Sequence, residues 1–110
     1  MTAVLTDFLA LARAYAADLH DHGGSAGAFY VAEGSVVEQT VSGSRLVEAS
    51  FNPGRGRSFG PHYVHRIANI GERPATTVHV YGPALSSMTR YRLGGAGLVV
   101  EAVTRAGADW

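Results

Sequence analysis

The sequence predicts a mainly β fold, a small antiparallel barrel or sandwich preceded by one N-terminal helix. Three observations carry the prediction. Short β-rich runs recur at roughly 8–12-residue intervals, with Gly, Pro, Ser or Asn between them. The apolar residues before position 19 instead repeat at helical spacing. At 110 residues, with no internal repeat and no long linker, the chain reads as a single domain over 1–110. A chain of that length hides roughly 65% of its unfolded surface, enough for one core.

The elements follow in order. Leu5, Phe8, Leu9, Ala12, Ala16 and Leu19 repeat as on one face of a helix, predicted over about Thr6–Ala17 within residues 1–18. Asp7 and Arg13 interrupt this run, and no basic segment precedes it, so it reads neither as a leader nor as a membrane span. From Leu19 to 110 the pattern is β. "AFYVAEGSVVEQTVSGSRLVEASF" holds β-rich runs parted by Glu33-Gly34 and by "SGS". "NPGRGRSFGP" reads as a loop with solvated arginines, and "HYVHRIANI" resumes a strand beginning at His62. "ATTVHVYGP", "SMTRYRL" and "GLVVEAVTR" complete the set.

Composition narrows the function. Lys+Arg equals Asp+Glu at 9 each, so nothing draws the chain to nucleic acid or to an anionic membrane. There is no cysteine, which excludes disulfides, thiolate metal sites and a cysteine nucleophile, and fits a reducing, cytoplasmic setting. What remains chemically distinctive is histidine. In "LHDHGGSAGAF" His20 and His22 stand two apart, so in a strand both project to one face and each offers a neutral imidazole nitrogen to one metal. Gly23, Gly24, Ser25, Ala26, Gly27 and Ala28 leave room beside them. A solvated pair in a loop is the plainer alternative. His65 lies in the later strand, and Thr77, His79 and Tyr81 share one face of "TVHVY". That face either looks into a barrel, toward the other histidines, or is the ordinary outward face of a strand with Val78 and Val80 packed inward. Phe29, Phe59, Tyr63 and Tyr91 read as core, and Trp110 as undetermined.

Together, "HDHGGSAGAFYVAEG" and "VHRIAN" followed by "ATTVHVYGP" resemble the first and second metal motifs of the cupin superfamily. More narrowly, they resemble bacterial cysteine dioxygenases. The likeness runs from Leu19 through most of the chain, with both motifs in the expected order. It implies a small cupin-type (jelly-roll) barrel, with Fe(II) held by His20, His22 and His65. It also implies a supporting chain in which Thr77 orients His79 and His79 fixes the Tyr81 hydroxyl. A carboxylate ligand common in cupins is missing, since Ser25, Ala26 and Gly27 occupy those positions. The expected activity is a dioxygenase converting L-cysteine and O2 to cysteine sulfinate. The alternatives are the same chemistry on another small thiol such as 3-mercaptopropionate, or a non-catalytic cupin that binds a metal or small ligand.

Two departures stand out. Gly27 replaces the cysteine that animal members crosslink to their tyrosine, so that link cannot form. The family's further strands, with an arginine that clamps the substrate carboxylate, normally separate the opening helix from the first motif. Here Ala17-Asp18 leads directly into "LHDHGG". The expected consequences are an open barrel edge, able to pair with a second copy, and a clamp to be replaced by another group such as Arg57, Arg66 or His62.

Overall fold

A computed structural model describes residues 2–7 and 18–107, and among these every regular element is a strand. In chain order they are β1 (Thr2–Asp7), β2 (Leu19–His20), β3 (Ala26–Glu33), β4 (Val36–Ser42), β5 (Arg45–Phe51), β6 (Gly56–Phe59), β7 (His65–Ala68), β8 (Thr76–Gly82), β9 (Ser87–Gly94) and β10 (Gly97–Arg105). They form two antiparallel sheets, ordered β1-β8-β3-β6 and β10-β9-β2-β7-β4-β5. This is the cupin-type architecture the sequence predicts. No helix among the described residues is long and apolar enough to cross a membrane.

Alternation builds the interior. On β8, Thr77, His79 and Tyr81 are buried while Val78 and Val80 are half-buried, so the polar face of "TVHVY" looks inward. Facing them across the β3–β8 register are Gly27 (opposite Tyr81), Phe29 (opposite His79) and Val31 (opposite Thr77). The second sheet contributes Val36 and Glu38 from β4, Phe51 from β5, and His65 and Ile67 from β7. Phe29, Val31, Val36, Phe51, Phe59, Ile67, Ala75 and Tyr81 make one buried cluster. Burying a Val or Phe side chain there stabilises the fold by about 1.5–3 kcal/mol each.

Three sequence expectations are corrected. Thr6 and Asp7, expected to begin a helix, end strand β1, which pairs with β8 from Thr2↔Tyr81 to Asp7↔Thr76. The remainder of the expected helix, residues 8–17, lies outside the described residues, as does Trp110. The cause is tertiary. The edge of β8 presents backbone donors and acceptors that a strand can satisfy and a helix cannot, and "TAVLT" carries β-branched residues at alternate positions. β1 thus covers this edge of β8, and the larger sheet ends on β10 and β5. On β10, Leu98, Val99, Val100 and Val103 are exposed. Second, Gly56–Phe59 of the expected loop is strand β6, paired with β3 from Tyr30↔Gly56 to Gly27↔Phe59. Glycine-rich composition hid its alternation, which points Arg57 and Phe59 inward, beside Phe29 and Gly27. Third, His62 does not begin a strand: it is exposed in a turn, and β7 starts at His65.

Candidate metal centre

The two sheets bring His20, His22 and His65 together. Their ring centroids form a triangle with every side 5.0 Å, and one nitrogen from each lies within 4.8 Å of the others, so the group could hold a metal ion. Register and alternation together produce the convergence. His20 ends β2 and pairs directly with His65 of β7, so the two rings share a face through register. His22 follows two residues later on the same side of the backbone and opens a tight turn, closed by the Ser25 amide donating to the His22 carbonyl at 3.0 Å. Asp21 secures that turn. Its Oδ1 accepts from the Gly23 and Thr89 amides at 3.0 Å each, its Oδ2 accepts from the Tyr91 hydroxyl at 2.7 Å, and its own amide donates to the Thr89 carbonyl at 2.9 Å. Gly23 is required for that seating. Its φ is +56°, and a Cβ there would stand 2.1 Å from Ser87 Oγ and 2.5 Å from the Ser87 carbonyl oxygen.

Hydrogen bonds set two of the rings. His20 Nδ1 bonds the Asp18 carbonyl at 3.2 Å, and His65 Nδ1 bonds Glu38 Oε2 at 2.9 Å. Neither acceptor has a proton to give, so both Nδ1 atoms donate, which leaves each Nε2 as the nitrogen available to a metal. His22 is held differently. Its ring lies 4.7 Å from Phe59 at 29° and 5.3 Å from Tyr81 at 33°, and neither ring nitrogen has a hydrogen-bond partner although the residue is only 1% exposed. A buried, unsatisfied nitrogen costs about 1–3 kcal/mol, and a metal ion is one group that would remove that cost.

The electrostatics agree. Burial, reinforced by repulsion from His65, His79 and Arg90, lowers His20 to about 3. Burial, with the neighbouring His20 and His65, lowers His22 to about 2. Both rings are therefore neutral at pH 7 and able to donate electron pairs. Three imidazole nitrogens and no carboxylate suit a divalent first-row ion of intermediate softness. The described donor set thus fits a metal, as the sequence motifs imply.

The β8 residues stand behind these rings. Thr77 Oγ1 shares a 2.8 Å hydrogen bond with His79 Nε2. The His79 and Tyr81 rings stack with centroids 6.3 Å apart. Burial, then the nearby His65, lowers His79 to about 4, and burial raises Tyr81 to about 12, so the His79 imidazole stays neutral and the phenol keeps its proton at neutral pH. At Gly27, opposite Tyr81, a Cβ would meet the Phe59 ring at 2.8 Å and the Val80 carbonyl at 2.8 Å. Phe59 therefore occupies the space into which a side chain at position 27 would project.

Sequence reasoning missed Glu38, Asp21 and Arg90. Glu38 is 1% exposed and bonds His65, Arg57 Nε at 2.7 Å and the Tyr63 hydroxyl. Its inward position was available from the alternation of "VVEQT", yet a glutamate in a strand ordinarily faces water. Arg90 of β9 is the register partner of His20 on the side opposite His65, so the inner row runs His65, His20, Arg90. Of the suggested clamp substitutes, Arg57 is engaged by Glu38, Arg66 Nε bonds Gln39, and His62 is exposed in its turn.

Comparison with known proteins gives a consistent picture. The family model described as Cysteine dioxygenase type I matches residues 7–93. Among solved structures, a sugar phosphate isomerase of the cupin superfamily from Silicibacter pomeroyi is similar at 23% identity and a TM-score of 0.55, over 84% of this chain and 61% of its own. A protein of Acidithiobacillus ferrooxidans described as a sugar phosphate isomerase shares 16% identity at a TM-score of 0.54, over 76% of this chain and 56% of its own. Peruvianin-I, a cysteine peptidase from Thevetia peruviana latex, shares 19% identity at a TM-score of 0.51, over 74% of this chain and 48% of its own. These likenesses establish the fold alone, and the chain spans about half to three fifths of the length of those structures. A comparison with curated proteins found no match.

Proposed function

Because the chain belongs to the cysteine dioxygenase type I family, we propose that it is an iron-dependent thiol dioxygenase acting on a small thiol that bears a carboxylate, with L-cysteine as the leading substrate. The observation that carries this reading is the convergence of His20, His22 and His65, backed by the inward-facing Thr77, His79 and Tyr81. In this reading the three histidines are the iron ligands and the β8 residues assist the reaction. Fe(II) bound there would relay electrons from the thiol sulfur to dioxygen and would favour thiolate over thiol; zinc fits the same nitrogens but passes no electrons.

The overall change is R–S⁻ plus O2 giving R–SO2⁻. Two S–O bonds form, the O–O bond breaks, sulfur loses four electrons and dioxygen gains them, and no proton is left over. The chain's own residues prepare this change. His20 and His65 present Nε2 inward because their Nδ1 atoms are committed to Asp18 and Glu38. The Tyr81 O–H, kept protonated by burial, donates to an anionic oxygen, and Thr77 holds the His79 ring beside it. Phe29, Phe59 and Tyr63 line the histidine cluster with apolar rings, which limits water and strengthens each polar contact. Arg90, in register beside His20 and in a long, partly exposed 3.9 Å ion pair with Asp18 that a substrate carboxylate could displace, is the cation we assign to that carboxylate in place of the family's clamp.

The test is oxygen uptake by the Fe(II)-loaded protein with cysteine, 3-mercaptopropionate and cysteamine, each coupled to quantification of the sulfinate. Turnover of a carboxylate thiol with one O2 consumed per sulfinate is expected. Arg90→Gln should raise KM for that thiol about ten- to a hundredfold with a smaller change in kcat. Equal turnover of cysteamine would remove the carboxylate assignment. A folded, iron-loaded chain with no uptake on any thiol would leave a metal-binding cupin instead.

A further inference from the structure

Glu38 is the only acidic side chain among the described residues that is fully buried. Taking an ionised carboxylate out of water costs several kcal/mol, so its position needs specific partners. It has three, drawn from separate parts of the chain. His65 Nδ1 donates to Oε2 at 2.9 Å, Arg57 Nε donates to Oε1 at 2.7 Å, and the Tyr63 hydroxyl bonds the same carboxyl. Register explains the meeting. Arg57 is the β6 partner of Phe29 and so points inward, while Glu38 lies one alternate position from Thr40, the β4 partner of His65. The Arg57 side chain is 41% exposed, with its guanidinium also 5.3 Å from the Phe51 ring, so the chain of contacts runs from the protein surface to a histidine of the cluster.

We propose that Glu38 is a positioning residue that lends negative charge to the metal through His65, and that Arg57 limits how much of that charge the metal experiences. The proposal rests on the metal-site reading above. A carboxylate hydrogen-bonded to the far nitrogen of a ligating imidazole fixes its tautomer and makes the other nitrogen a stronger donor. With no carboxylate among the three candidate ligands, Glu38 is the carboxylate hydrogen-bonded to one of them. Arg57 draws on the same carboxylate from its other oxygen, so the two residues act on the metal with opposite sign.

That sign separates charge from packing. The experiment measures Co(II) and Zn(II) affinity by competition with a chromophoric chelator, for the parent chain, Glu38→Gln and Arg57→Met, with circular dichroism confirming the fold of each. Glu38→Gln should weaken binding about ten- to a hundredfold. Arg57→Met, which keeps an apolar stem near Phe51, should tighten binding about three- to tenfold. The d–d bands of the Co(II) form should shift in Glu38→Gln as the His65 donor weakens. If both variants weaken binding, Glu38 and Arg57 only hold the fold and the proposal is overturned; unchanged affinities overturn it equally. If Glu38→Gln does not fold, Arg57→Met decides alone, by tightening or failing to tighten. A parent chain that takes up neither ion defeats the metal-site reading itself, an outcome visible before any variant is compared.

Discussion

Replacing His65 by alanine should remove tight metal binding and all thiol-dependent oxygen uptake, and should also cost about 3 kcal/mol of stability in the metal-free protein. The first effect follows from losing one of three converging nitrogens. The second follows from what the ring does besides. His65 is 1% exposed, touches Phe29, Phe59 and Tyr63, and supplies a hydrogen bond to the buried Glu38 carboxylate. Removing it leaves a cavity and an anion short of one donor. His20→Ala provides the contrast. His20 is partly exposed and its Nδ1 bonds only a backbone carbonyl, so metal binding should be lost with a much smaller change in stability. Urea unfolding without metal, paired with metal titration, separates the two effects. Metal affinity in His65→Ala equal to that of the parent would defeat the three-nitrogen site.

Metal-free protein should lose stability steeply on mild acidification. Burial lowers His20 to about 3, His22 to about 2 and His79 to about 4 in the folded chain, whereas an unfolded histidine titrates near 6.5. Between pH about 6.5 and about 4 the unfolded state therefore binds up to three more protons than the folded one. Stability then rises with pH in that window, at most about 4 kcal/mol per unit. Glu38 adds the same sign at lower pH. Burial pushes its carboxyl up, but the bonds from His65 and Tyr63 and the Arg57 charge outweigh this and hold it below its ordinary value, so its contribution is lost as protonation begins. From pH 6.5 to 5 the loss is at most about 6 kcal/mol, so a domain at the lower end of the usual range of about 5–15 kcal/mol would unfold near pH 5. A bound ion opposes this, since free metal at a hundred times Kd adds about 2.7 kcal/mol. Denaturation midpoints from pH 7.5 to 5, with and without Zn(II), measure both. A flat profile in the metal-free protein would show that the rings are not buried neutral.

How much of this was readable beforehand depends on the range of the interaction. Alternation made "TVHVY" a strand with Thr77, His79 and Tyr81 on one face, and two-residue spacing marked His20 and His22. Whether those faces looked inward could not be read, because periodicity identifies faces and not their surroundings. The structure resolves this by burying all three β8 residues. Asp21 illustrates the limit well: within "HDH" it looks like a spacer, yet its three acceptor bonds reach back to Gly23 and across to Thr89 and Tyr91.

The sequence by itself determined the strand-rich barrel, the identity of the histidines and the family motifs that contain them, since each is written in local spacing and residue type. Only the tertiary structure decided that Thr2–Asp7 pairs with β8, that Gly56–Phe59 is a strand, and that Glu38, Arg57 and Arg90 stand beside the histidines. The physical reason is that backbone pairing at a sheet edge, cross-strand register and the solvation of a buried charge depend on residues far apart in the chain. No local pattern encodes which distant partner will satisfy them.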